Sequence, residues 1–286
     1  MERTRQRGRR ILGFIIFIVI LLLSAFELPR FFNDGVTFYA FDVGQGDSLL
    51  FHFPDGSNML VDAGTRKSAR SLVSKLRKAG VKNIDILVAT HPHEDHIGGM
   101  ELVLKSFSIG KIWDSGYNHG SSVQASMLQT IRELGIRFGR PRAGLKEEHG
   151  GAVVEVIAPV NPISGSASDA NNNSIVLRVS YGSVSFLLMG DIEREGRGAI
   201  KKFQESAILK VSHHGSSNGT DRRLLDQVKP KAAILSYGRG NSYGHPHKEV
   251  TRLLERFSVT SYATVDGDIK ITTDGNTYSV SQESNR

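Results

Sequence analysis

The chain has 286 residues, 23% charged and 39% hydrophobic, which suffices for one large or two ordinary domains and excludes wholesale disorder or a collagen-like repeat. It contains no cysteine, so disulfide frameworks, Cys-ligated zinc, iron–sulfur centres and thiol catalysis are excluded together. The formal net charge of +7 is uneven: Arg3, Arg5, Arg7, Arg9 and Arg10 against Glu2 put four of the seven charges in the first ten residues, and the body is too weakly basic to imply nucleic-acid binding on charge alone.

The arginines precede an apolar run at 11–26, ILGFIIFIVILLLSAF. Sixteen helical residues span about 24 Å, slightly short of a hydrocarbon core of about 30 Å. The run therefore reads as a short membrane anchor or as the h-region of a signal peptide. Cleavage after Ala25 or Ser24 would place Leu23 or Leu22 where a small residue is needed, which favours the uncleaved anchor. The positive-inside rule keeps the arginines cytoplasmic and sends the chain beyond about residue 30 outward. Two regions follow: 1–30, a basic N-terminus with its anchor or signal segment, and 31–286, a body held at the cell membrane by a single pass or secreted after cleavage.

From Val36 the pattern predicts short strands at 36–43, 48–53 and 58–64, the last two joined by the PDGS turn at 54–57. A helix at 66–79 closes at Gly80, the apolar run 84–90 reads as a buried strand, and helices are predicted at 98–106 and within 121–134. A second batch of strands begins at 152–159, 174–180 and 184–191. Helices at 193–203 and 221–228 alternate with strands at 207–212 and 232–237. After a helix at 247–257, strands near 260–265, 268–273 and 277–281 end the chain. Two batches of strands, each followed by helices, predict an α+β body of two sheets back to back with helices outside. The segment 161–173 is the most loop-like stretch, and loops of that length are often functional.

Residues 91–96 read His-Pro-His-Glu-Asp-His, directly after the strand at 84–90. Pro92 pushes His91 toward extended geometry, so His91 and His93 point to the same side, while Asp95 and His96 sit where the chain turns into a helix. Imidazoles and a carboxylate gathered at one strand end suit zinc or manganese-type divalent ions. His213 and His214 end another apolar strand, His245 and His247 follow a third, and Asp62 and Asp191 end matching strands in the two halves. Strand ends are where sites of α/β-type proteins are commonly assembled. His52, His119 and His149 stand alone and read as surface or structural residues. Gly44 and Gly46 fit a tight turn or a site-lining loop equally.

These pieces resemble the metallo-β-lactamase superfamily, whose His-x-His-x-Asp-His signature HPHEDH matches. The nearest likeness is the hydrolase domain of ComEC-type competence DNA-uptake proteins and its stand-alone relatives. It rests on FDVGQGDS (41–48), VDAG (61–64), THPHEDHIGG (90–99), NNNSIVL (171–177), LLMGDIE (187–193), VSHHGS (211–216) and YGHPH (243–247), in order along 37–273. The resemblance implies an αββα four-layer sandwich holding two divalent metal ions, Zn or Mn. His91 and His93 would hold the first and Asp95 and His96 the second, with Asp191 bridging. One of His213 and His214 would complete the second site, the following glycine favouring His214 without excluding His213. Asp62 would steady the HPHEDH loop by hydrogen bonds. A histidine usual in the superfamily ahead of the strand at 174–180 is absent; an asparagine oxygen, that of Asn171, would replace it and shift preference toward manganese.

The reaction expected from this likeness is hydrolysis at phosphorus, with Asp95 or Asp191 orienting the attacking water and His245 donating to the leaving oxygen. Asp42, Gln45, Asp47, Asn173 and His247 would contact ligands or substrate from the loops around the cleft. DNA or another phosphodiester is the expected substrate, with the membrane and competence-type uptake machinery as partners. Arg222, Arg223, Arg239 and Lys248 are phosphate-contact candidates if they are not simply solvated surface. The alternatives are a hydrolase of a small or cell-envelope ester (a phosphorylcholine-type diester or a lactone) and a silent binding domain, the latter opposed by the intact ligand motifs.

Overall fold

The computed structural model describes residues 35–283. The apolar run at 11–26 lies outside them; among the described residues no helix is long and apolar enough to cross a membrane. In chain order the strands are β1 (Val36–Ala40), β2 (Leu49–His52), β3 (Asn58–Val61), β4 (Asn83–Ala89), β5 (Ser108–Asp114), β6 (Arg137–Gly139), β7 (Lys146–His149), β8 (Ala152–Ala158), β9 (Val176–Tyr181), β10 (Val184–Leu188), β11 (Ile208–Lys210), β12 (Ala232–Leu235), β13 (Thr260–Ala263), β14 (Ile269–Thr273) and β15 (Tyr278–Gln282). One sheet runs β15-β14-β1-β2-β3-β4-β5-β6 and the other β13-β12-β11-β10-β9-β8-β7.

Period-two alternation explains how two sheets can be apolar on both faces. In β1 and β2, Phe38, Leu49 and Phe51 point into a core shared with Val154, Leu177, Phe186 and Ile208 of the opposite sheet. Leu50, Leu60 and Leu87, on the other face of the first sheet, pack with Leu72 and Leu76 of the helix Ala69–Lys78 and with Met100 and Val103 of Met100–Ser106. Leu187, Leu209 and Ala233 of the second sheet pack with Leu224 and Leu225 of Arg222–Val228 and with Val250 and Leu254 of Lys248–Arg256. Helix, sheet, sheet and helix thus form four layers around three apolar seams, as expected.

The parallel segments position the site. β3 to β6 run parallel, as do β10 to β13, and each crossover passes over an outer face before the next strand. The C-terminal ends of β3, β4, β10, β11 and β12 carry Asp62, His91, Asp191, His213 and Ser236 in the turns that leave the sheets.

Three strands were not expected from the sequence: β5, β6 and β7. β5 carries Gly110 and Lys111 at its centre and is buried only at its end, which hides the alternation; a Cβ on Gly110 would lie 2.7 Å from the Asp85 carbonyl oxygen of β4. The helix expected at 193–203 is only Arg194–Gly198, because glycines at 196 and 198 limit it. The loop 161–173 ends in one helical turn, Asp169–Asn172.

Candidate metal centre

The HPHEDH loop is built on Asp62, which ends β3 with a left-handed φ of 59° and is fully buried. Its Oδ1 accepts the Thr90 backbone N–H at 2.9 Å, and its Oδ2 accepts the Thr90 hydroxyl and His96 Nδ1, both at 2.7 Å. The carboxylate therefore fixes the His96 tautomer and leaves the Nε2 lone pair facing away from it. His93 sits at the N-cap of the short helix Glu94–Ile97 with extended backbone, φ −78° and ψ 150°, the geometry usual at that position. His91 Nε2 and His93 Nδ1 come within 3.1 Å of each other.

Asp191 meets this loop from the opposite sheet. Its Oδ2 lies 3.3 Å from His96 Nε2, 3.4 Å from His214 Nε2, 3.7 Å from His91 Nε2 and 3.8 Å from His213 Nε2. Asp95 Oδ2 is 3.2 Å from His214 Nε2 and 3.9 Å from His96 Nε2. The outward nitrogen of His214 is engaged, its Nδ1 donating to the Ser236 carbonyl at 2.9 Å. Both His213 and His214 hold left-handed backbone, φ 49° and 54°. Such conformations cost roughly 1–3 kcal/mol each in non-glycine residues and persist where surrounding structure or function demands them. Gly215, φ +87°, must be glycine, because a Cβ there would meet Pro246 at 2.6 Å.

The donors fit divalent ions. Imidazole nitrogens and two carboxylates converge on one point, while Asp191 Oδ1 and Asn171 Oδ1 are buried with no hydrogen-bond partner among the described residues. Orphaned acceptors of this kind are costly unless a cation completes them. Burial works against charge on His96 and His214, but Asp191 and the neighbouring carboxylates outweigh it and hold both well above the usual imidazole range. Burial likewise opposes ionisation of Asp191, yet His214 and His96 keep it well below the usual carboxylate range. The centre thus stabilises positive charge strongly, and a bound cation would replace the imidazole protons, since ligating imidazoles are neutral.

Asp47 joins the cluster from behind. It lies with His96, Asp191 and His214 in a buried group whose candidate ligand atoms are within 4.8 Å. Its Oδ1, however, faces Nδ1 of His214 at 3.5 Å, and its Oδ2 pairs with Lys210 Nζ at 2.8 Å. Asp47 is therefore a support for the His214 ring, on the side opposite Asp191. Burial pushes its pKa up, but Lys210 and then His214 and His96 hold it down at about 2. Gly46 permits this: its φ is +125°, and a Cβ would lie 2.0 Å from the Asp95 carbonyl oxygen, which accepts the Asp47 N–H at 3.2 Å.

Other expected contacts resolve differently. Asp42 accepts the Gly44 N–H and shapes its own loop, while its backbone meets Asp268 and Lys75, so its visible bonds are structural. Asn173 ties Ile163 and Asp169 together and holds the 161–173 loop closed; it does not line the centre. Gln45 braces the opposite loop through Gly238 N–H. Asn171 donates to Glu193 Oε1 at 2.9 Å and keeps its oxygen unengaged. At the rim His245 stacks between Tyr243 and the histidines, with ring centroids 5.6 Å from Tyr243 and 5.3 Å from His213, and His247 lies beyond it, bonded to Ser217. Arg222 and Arg239 are in surface ion pairs with Asp226 and Asp266, which weakens them as phosphate contacts.

Three residues here escaped the sequence reading. His119 is not isolated: its ring lies 5.3 Å from that of His93, brought there by the unexpected strand β5. Lys210 is fully buried within an apolar strand, a polarity mismatch visible in the run AILKVS. Glu193, two residues past Asp191, reaches His213 Nδ1 at 3.1 Å. His52 and His149 are structural as expected, His52 bonding Asn58 and the Ala79 carbonyl and His149 stacking on Phe53.

A family profile described as the metallo-beta-lactamase superfamily matches residues 41–239, which include the whole centre apart from the His245–His247 rim. The chain belongs to this superfamily. It is 32% identical over 266 residues to ComE operon protein 3 of Bacillus subtilis, covering 86% of this chain and 33% of that protein. It is 30% identical over 214 residues to competence protein ComA of Neisseria gonorrhoeae, covering 73% of this chain and 28% of that one. The chain spans about a third of the length of these relatives. The metallo-beta-lactamase fold protein YhfI of Bacillus subtilis superposes with a TM-score of 0.52 at 14% identity, over 80% of this chain and 96% of that one, which shows the shared fold. The chain is thus a superfamily hydrolase with a potential metal site and competence-protein relatives.

Proposed function

We propose that the chain is a metal-dependent phosphodiesterase acting on DNA outside the cytoplasm, tethered by its 11–26 segment. The observation that carries the reading is the set of four imidazole Nε2 atoms and Asp95 gathered about the single Asp191 Oδ2, a donor set large enough for two ions sharing a carboxylate. His91, His93 and Asp191 would hold one ion, and Asp95, His96, His214 and Asp191 the other. Divalent ions held there supply Lewis acidity and an acidified water, the chemistry that in-line displacement at phosphorus requires.

The chain's own groups then have distinct work. The Asp95 side chain is 25% exposed against 2% for Asp191, so Asp95 is the carboxylate open to an entering water and able to orient it. Burial, with His213, His214 and His247 adding to it, pushes His245 down to about 4. At neutral pH it is an uncharged imidazole with an unpartnered buried Nδ1, suited to hydrogen-bond a phosphoryl or leaving oxygen. Tyr243, 65% exposed and stacked on His245, offers a flat face for a nucleobase beside the centre. A cavity of about 140 Å³ beside the helix that follows Glu193 is lined partly by Arg194, Arg197 and Arg223; Asp221 pairs with Arg197 there at 2.8 Å, which leaves Arg194 and Arg223 as its phosphate-contact candidates.

Competence-named relatives and the arginine-then-apolar N-terminus support the DNA substrate and the outward placement. Linear DNA and bis(p-nitrophenyl) phosphate would be incubated with the full chain in EDTA, Zn²⁺ or Mn²⁺, beside His93→Ala and Asp191→Ala. Metal-dependent degradation of DNA, lost in both variants, is the expected result. Turnover of the small diester alone would refute DNA as substrate, and turnover of neither by metal-loaded protein would refute phosphodiesterase action. Protease shaving of intact and permeabilised cells tests the outward placement.

A further inference from the structure

Ring contacts run in a chain across the candidate centre. Between centroids, His119 lies 5.3 Å from His93, His93 4.7 Å from His91 and His91 4.1 Å from His96. The chain continues from His96 to His214 at 5.1 Å, to His245 at 6.2 Å and to Tyr243 at 5.6 Å. Tyr243 is one end and His119 the other. Buried Gln124 of the helix Ser122–Glu133 fastens the His119 end: its Oε1 accepts the His119 N–H at 2.8 Å and its Nε2 donates to the Tyr117 carbonyl at 2.7 Å. Loop 115–120 is thus a braced rim of the site.

Against that rim lies the segment 137–142, Arg-Phe-Gly-Arg-Pro-Arg, which begins as β6, the last strand of its sheet. Arg142 Nη1 donates to the Ser115 carbonyl at 3.1 Å. A Cβ on Gly116, φ +81°, would meet Arg140 Cδ at 3.0 Å and Arg142 Nη2 at 3.3 Å, so both arginines lie directly on the rim. Phe138 is 37% exposed, and the Arg140 guanidinium sits 5.8 Å from its ring centroid. Among the described residues neither Arg140 nor Arg142 has a carboxylate at ion-pair distance. Asp114, which ends β5, is buried with its Oδ1 turned onto the Gly116 N–H at 2.7 Å, and Glu147 pairs with Lys111.

We propose that Phe138 and Arg140, with Arg142 fixing them to the rim, form a binding strip for single-stranded nucleic acid. The strip leads a strand to the centre at the end of the ring chain away from Tyr243. Cleavage of that strand rests on the reading above; its capture does not. Guanidinium groups beside an exposed aromatic ring are the combination that holds single strands without sequence preference, phosphates on the positive charge and bases on the ring. A duplex keeps its bases stacked inside and offers no free base face to Phe138, so the ring selects the single strand. The body as a whole is only weakly basic, so the attraction has to come from a local cluster such as this one, where no carboxylate cancels the guanidinium charge.

The test is binding, read without turnover. Fluorescein-labelled oligo(dT) and a blunt duplex with the same number of phosphates are titrated with the full chain in EDTA, by anisotropy, over a series of salt concentrations. Phe138→Ala and Arg140→Gln are compared with Arg70→Gln, an equal change of charge at an exposed position on the helix Ala69–Lys78. Thermal melts check folding, and Phe138→Leu, which keeps an apolar side chain but no ring, repeats the measurement should Phe138→Ala fail to fold. The single strand should bind more tightly than the duplex. Phe138→Ala should weaken it about 5- to 150-fold with the salt slope unchanged, the worth of one base stack. Arg140→Gln should reduce the slope of log K against log[salt] by about 0.7, one phosphate contact on a single strand, and Arg70→Gln should change neither quantity. Wild-type affinity in both strip variants, tighter binding of the duplex, or an equal loss in Arg70→Gln would overturn the strip. Oligonucleotide binding that fails in the strip variants, in a wild-type chain that hydrolyses no phosphodiester with metal, would uphold the strip and overturn the phosphodiesterase reading instead.

Discussion

Replacing Asp62 by Asn changes one atom at a buried position and should disable His96 as a ligand. The carboxylate accepts three hydrogen bonds, from Thr90 N–H, the Thr90 hydroxyl and His96 Nδ1–H. An amide retains one oxygen, which can stay with Thr90 N–H, and its NH2 then faces the two remaining donors. The Thr90 hydroxyl can rotate; His96 can relieve the clash only by moving its proton to Nε2, the atom that faces Asp191 at 3.3 Å. The lone pair needed for a metal is then gone. Loss of such a supporting group typically costs 10–100-fold in metal affinity, or about 1.4–2.8 kcal/mol. One buried donor left short costs roughly 1–3 kcal/mol of stability, which in a body of this size lowers Tm by about 2–12 °C. Calorimetric titration of the chelator-stripped variant with Zn²⁺, paired with thermal melts, reads both effects. Wild-type metal affinity in a variant whose Tm has fallen would refute the tautomer argument and leave Asp62 as a structural brace alone.

Lys210→Met should destabilise the chain by roughly 3–5 kcal/mol in urea unfolding, because it strands the buried Asp47 charge, and adding Asp47→Asn should recover much of that loss. No recovery in the double variant would show that Lys210 matters through packing. Tyr243→Ala should raise KM for oligonucleotides about 5- to 150-fold, the worth of one base stack, while bis(p-nitrophenyl) phosphate turnover is unaffected; an unchanged oligonucleotide KM removes Tyr243 from substrate binding. His52 is lowered from its ordinary 6.5, chiefly by burial. The unfolded chain therefore takes up this proton first as pH falls, so the stability contributed by neutral His52 is complete above about 6.5 and is lost as pH drops through the lowered folded value. His52→Gln should flatten the decline of Tm between pH 7 and 5 relative to wild type, and parallel profiles would exclude the residue.

The metal motif was legible because its ligands are local. HPHEDH packs four donors into six residues, and Pro92 with the adjoining strand and turn dictates their directions whatever lies elsewhere. The long apolar strands and both outer helix layers were equally legible, since each carries its own period. β5 was not, because Gly110 and Lys111 break the alternation and only pairing with β4 makes it a strand. His119 could not be placed beside His93 without β5. The choice between His213 and His214 also lay beyond the sequence: adjacent residues on a strand would point to opposite faces, and only two left-handed backbones bring both rings to Asp191. Asp47 and Lys210, 163 positions apart, show the same limit, for neither sheet alone contains the pair. Residue type and local periodicity determined which chemistry was present and on which elements; the packing of the two sheets decided which donors meet, which nitrogen each imidazole offers and which carboxylates stand behind them, because desolvation and ring orientation exist only once both faces are closed.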